Sequence, residues 1–124
     1  MSIKKSVNIS LAFLMLFSLF PAGQANAAEH KVSMKDWLFN PKVLTVKVGD
    51  TVTWVNDDDT MHNIYFEDKF PGAPQIDEPE KIRLRKKFSL TFEKAGEYDY
   101  FCRNHQDYDM VGKIIVKSKQ GGTP

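Results

Sequence analysis

Val43-Leu44-Thr45-Val46-Lys47-Val48-Gly49-Asp50-Thr51-Val52-Thr53-Trp54-Val55 is the stretch on which the fold turns. Leu44, Val46 and Val48 alternate with Val43, Thr45 and Lys47, the period of two that sets one face of a strand into a core and leaves the other outside. Gly49-Asp50 supplies a turn, and Thr51 to Val55 continues in β-branched and aromatic residues, which strands favour. The pattern is strand, turn, strand.

Downstream the same texture continues. Asp57-Asp58-Asp59-Thr60 forms a polar loop, Asn63 to Phe66 reads as a short strand, and Phe70 to Glu80 is an irregular crossing in which Pro74 and Pro79 argue against a central strand. From Lys81 the even positions Ile82, Leu84, Phe88, Leu90 and Phe92 are apolar between polar neighbours, with a break at Lys86. Ala95-Gly96 then turns the chain into Tyr98 and Tyr100 on one parity, Cys102 ends that strand, and Gly112 to Val116 supplies a last one. No stretch carries a helical period of useful length. Seven or so short strands predict an all-β fold, a Greek-key antiparallel β-sandwich.

Upstream, Lys4 and Lys5 precede the apolar run Leu11 to Phe20, which Pro21 and Gly23 break ahead of Ala25-Asn26-Ala27. This reads as a secretory signal over residues 1–27 with one domain over 28–124, and the run is shorter than the ~20 residues that span a bilayer. The expected protein is therefore exported to the periplasm, with no membrane segment after cleavage. Removing Met1 to Ala27 leaves 97 of the 124 residues, with 15 basic against 16 acidic side chains. That near-neutral balance gives no broad basic footprint for nucleic acid. One cysteine excludes an internal disulfide, and a small core without one leaves a bound metal as a remaining source of stability.

Chemistry concentrates in Cys102-Arg103-Asn104-His105-Gln106-Asp107-Tyr108-Asp109-Met110, with a second imidazole, His62, well upstream. Each residue alone has an ordinary reading: buried cysteine, turn histidine, core methionine. Together they offer two imidazoles, a thiolate and a thioether, a donor set that suits copper cycling between two oxidation states. Zinc takes four stronger ligands in structural sites.

Phe39 to Val116 resembles the cupredoxins, the small blue copper proteins. The resemblance rests on Val46-Lys47-Val48-Gly49-Asp50-Thr51-Val52-Thr53-Trp54-Val55-Asn56, on His62-Asn63, and on Gly96-Glu97-Tyr98-Asp99-Tyr100-Phe101-Cys102. The run into Trp54 and the Tyr-x-Tyr-x-Cys approach are similar to amicyanin, while the C-x2-H-x4-M spacing is that of plastocyanin and pseudoazurin. It implies an eight-stranded cupredoxin-like sandwich holding one type 1 copper, with His62, Cys102 and His105 as strong ligands and Met110 as the axial one. It also implies that Asn63 ties the ligand loops together and donates toward the cysteine sulfur. Met61 and Asn104 stand where relatives usually carry proline, and Asp107 and Asp109 occupy a loop that is usually small or apolar.

The implied function is a soluble monomeric electron carrier, not an enzyme, working between redox protein partners such as an amine dehydrogenase or a cytochrome. The alternative is a copper storage or delivery protein, for which exposed Met61 and an N-terminal Cu(II) site built on Ala28-Glu29-His30 would be the relevant features. Asp57 to Asp59 with Asp107 and Asp109, set against Lys81, Arg83, Arg85, Lys86 and Lys87, predict a charge-polarised molecule whose acidic copper end meets a basic partner.

Overall fold

The structure is a computed structural model that describes residues 26–67 and 81–119. Most of the expected signal and the Phe70 to Glu80 crossing lie outside the described residues. Among the described residues eight strands form two four-stranded sheets. They are β1 (Glu29–Lys35), β2 (Leu38–Asn40), β3 (Val43–Lys47), β4 (Thr51–Asn56), β5 (Tyr65–Phe66), β6 (Lys87–Thr91), β7 (Gly96–Phe101) and β8 (Val111–Lys117).

One sheet has the order β2-β1-β4-β6 and the other β3-β8-β7-β5. After the β1–β2 hairpin the chain crosses to the second sheet as β3, then returns as β4 beside β1. That crossover makes β1–β4 parallel, and β3–β8 is parallel as well, while the remaining pairs are antiparallel. The expected sandwich is present, with these two parallel pairs inside it.

Alternation decides which side chains enter the core. In β4, Val52, Trp54 and Asn56 are buried while Thr51, Thr53 and Val55 are half-exposed. Trp54 meets Tyr100 edge-on, ring centroids 5.4 Å apart at 84°, and Phe66 at 6.3 Å and 83°. These are favourable aromatic geometries, and burial of each such side chain is worth about 2–3 kcal/mol. Val32, Met34, Val46, Ile114 and Val116 fill the remaining interior.

Two readings change. The strand expected from Lys81 begins only at Lys87, because Arg83 to Lys86 form a turn closed by Lys86 N–H to the Arg83 carbonyl, with Arg85 at φ +63°. Leu84 is consequently exposed. At the other end, Ala28-Glu29-His30 is bound into the sheet: Asp50 accepts the Ala28 N–H at 2.9 Å and contacts His30 Nε2 at 2.9 Å, and Glu29 and His30 pair with Thr51 and Val52. The groups of the expected N-terminal copper site are therefore already engaged.

Candidate metal centre

Two loops deliver the site to one end of the sandwich. Cys102 follows β7, and the 3₁₀ segment Arg103–Tyr108 then folds back so that the Cys102 N–H reaches the Met110 carbonyl at 3.0 Å. Within this loop the His105 N–H donates to the Cys102 carbonyl at 3.2 Å and the Met110 N–H to the His105 carbonyl at 3.4 Å. Asp109 makes the return at φ +58°. His62 arrives from the connection between β4 and β5, in an isolated bridge to Ile82.

The ligand atoms converge. His62 Nδ1 and His105 Nδ1 lie 3.2 Å apart, and Cys102 Sγ is 3.7 Å from the first and 3.5 Å from the second. Among the described residues this is the one cluster of three or more His, Cys, Asp or Glu side chains able to hold a metal ion. Cys102, His62 and Met110 are fully buried, and His105 is half-buried.

The surroundings prepare these atoms for a cation. His62 Nε2 faces the Asp58 carboxylate at 3.2 Å and Thr60 Oγ1 at 3.3 Å. A proton held at Nε2 leaves the Nδ1 lone pair bare and aimed at the thiol. Burial, with His105 close by, pushes the His62 pKa below its ordinary value against the opposing pull of Asp58, which favours the neutral, ligating form. The two Nδ1 atoms and the sulfur lie close enough together to share one ion, and the donor chemistry fits copper.

Asn63 behaves as the resemblance implies. Its N–H donates toward Cys102 Sγ at 3.5 Å and its Oδ1 accepts the Arg103 N–H at 2.8 Å, joining the two ligand loops. Three contributors escaped the sequence reading. Buried Asn56 gives its amide to the Thr60 and Ile82 carbonyls at 2.7 Å each and accepts the Asp58 N–H at 2.8 Å, which fixes the Asp57 to Thr60 loop. Asp58 supports His62, and Trp37 stacks on His105 with centroids 5.3 Å apart and planes 13° apart. A buried asparagine at an inward strand position was the available signal for the first; no local pattern announces the other two.

The basic segment runs nearer to the site than the sequence alone suggested. Ile82 is bridged to His62 and Lys86 is bonded to Asn56 through its carbonyl, so the basic segment flanks the site. Of the five carboxylates in these loops, Asp57 lies 3.5 Å from Lys31, Asp109 lies 3.2 Å from Lys42, and Asp58 faces the His62 ring.

A two-sheet β-sandwich that gathers two imidazoles and a buried thiol at one end defines a mononuclear metal-binding protein. A family model described as a cupredoxin-like domain matches residues 8–116. The chain is similar to the chloroplastic plastocyanin of Tetradesmus obliquus, 40% identical over 108 residues, which is 82% of this chain and 73% of that one. It is also similar to the amicyanin of Paracoccus denitrificans, 35% identical over 100 residues, or 81% and 74% of the two chains. A solved structure of a reduced amicyanin variant superposes with a TM-score of 0.63 at 36% identity, covering 72% of this chain and 82% of that one. The chain belongs to the cupredoxin family. It is a type 1 copper protein with one copper ion, and its work is electron transfer.

Proposed function

We propose that His62 Nδ1, Cys102 Sγ and His105 Nδ1 would hold the copper, with the Met110 thioether as a fourth, weaker donor. The convergence of the two Nδ1 atoms on the one buried sulfur carries this reading. Met110 is supported by its full burial and by main-chain bonds to both Cys102 and His105. Copper bound there supplies a one-electron couple, and the protein holds two imidazoles, a thiolate and the Asn63 N–H in a compromise between the preferences of the two oxidation states.

Of the four side chains His105 is the least buried, so it is the point at which an electron enters or leaves. The protein acts as a monomeric shuttle in the periplasm after removal of residues 1–27, transforms no substrate, and exchanges electrons with a protein donor and acceptor of the amine dehydrogenase or cytochrome kind. Likeness to amicyanin and plastocyanin supports partners that are themselves redox proteins. Storage or delivery is not favoured.

Absorption spectra of the copper-loaded protein test the site. Wild type gives an intense sulfur-to-copper band in the visible, Cys102→Ser loses it, and Met110→Leu keeps the band with a changed potential. An unchanged band in Cys102→Ser would sink the assignment. Mass spectrometry of the exported protein starting at any residue other than Ala28 would overturn the cleavage site.

A further inference from the structure

The Asp36–Trp37 turn is a strained feature that the copper site does not obviously require. It links β1 to β2 as a two-residue hairpin between the paired Lys35 and Leu38, with φ of +52° at Asp36 and +60° at Trp37. Turns with both central residues at positive φ favour Asn-Gly or Asp-Gly, and a bulky residue there is costly. Such strain persists where the surroundings impose it, and it tends to mark a working position.

Two contacts hold this turn. The Trp37 N–H donates to Asp58 Oδ2 at 3.3 Å, and the indole lies parallel over the His105 ring, with Tyr108 tilted against it at a centroid distance of 4.6 Å. The same oxygen, Asp58 Oδ2, faces His62 Nε2 at 3.2 Å. Asp58 is in turn fixed by its N–H to Asn56 Oδ1 and by the Asp59 N–H to its Oδ1 at 3.0 Å. One carboxylate thus reaches both imidazoles, one directly and the other through the turn that carries Trp37.

We propose that Asp58 is a positioning residue for both histidine ligands, gripping His62 by its carboxylate and His105 by way of the stacked Trp37. The proposal rests on the ligand assignment above. A carboxylate on Nε2 raises the basicity of Nδ1 and so favours the more highly charged ion. The indole restrains the plane of the half-buried ligand, so that neither ring needs to turn when the copper changes charge.

The test uses the copper-loaded protein and its variants Asp58→Asn, Trp37→Ala, Trp37→Phe and the Asp58→Asn/Trp37→Ala double. The readouts are the midpoint potential and, in the diamagnetic Cu(I) form, the proton shifts of the His105 ring. Asp58→Asn weakens Cu(II) relative to Cu(I) by about tenfold, an upward move of about 59 mV for a one-electron couple. It also moves the His105 signals, which it does not touch. Trp37→Ala removes the ring-current shift on His105, Trp37→Phe restores most of it, and the double variant shifts His105 no further than Trp37→Ala alone. A wild-type potential in Asp58→Asn, or unmoved His105 signals, overturns the proposal. Should Asp58→Asn not fold, Trp37→Ala decides the His105 arm: unchanged shifts there overturn it equally. The ligand assignment fails separately, by absence of the visible band from the wild type.

Discussion

Cys102→Ser is the most informative single change. Serine matches the cysteine closely in size, so the apo fold should persist while the visible band and the copper-dependent gain in thermal stability both disappear; absorption and melting measured with and without copper check this. Asn56→Ala acts on the scaffold. Three hydrogen bonds of its buried side chain go with it and the Thr60 and Ile82 carbonyls lose that partner, so a loss of about 3 kcal/mol is expected in urea unfolding of the apo-protein. The four proposed ligands were candidates from the sequence because a thiol, imidazoles and a thioether are chemically distinctive at any position. Asn56, Asp58 and Trp37 are common residue types whose roles depend on where a loop or turn happens to pass.

Among the elements, the start of β1 is anchored by a single carboxylate. Asp50 accepts the Lys47 N–H at 3.0 Å, the Ala28 N–H at 2.9 Å, and faces His30, which together lower its pKa from 3.8 to about 2. A carboxyl whose folded pKa lies below its unfolded value stabilises fully above the unfolded value and loses that contribution as the pH falls through the folded one. The stability difference between wild type and Asp50→Asn should therefore be constant above pH 4 and shrink toward pH 2, as denaturation at a series of pH values would show. In β8, a Cβ at Gly112 would run into the Tyr100 ring, so Gly112→Ala should cost about 2 kcal/mol, or more if the ring cannot shift; the unfolding midpoint measures it. β3, β4, β7 and β8 were legible because alternation over five or more residues is a strong signal. The β1–β2 hairpin was not, since its turn contains no glycine, and Leu84 mimicked strand parity inside what is a turn.

For the whole molecule, copper is a stabilising ligand of the folded state. At a free concentration a thousandfold above its Kd it adds about 4 kcal/mol, which in a domain of this size is a rise of about 15 °C or more in Tm. Calorimetry of apo- and copper-loaded protein checks that figure, and a rise that survives in Cys102→Ser would place the stabilising ion elsewhere. The sequence by itself determined the strand parities, the turn at Gly49-Asp50, and the donor set, because periodicity and side-chain chemistry are local properties. Only the tertiary structure decided that β1–β4 and β3–β8 run parallel, that the basic segment lies beside His62, and that Asp58 and Trp37 back the two imidazoles. Those outcomes depend on which distant segments pack together. Alternation along a strand says which face is buried, but it does not say against what.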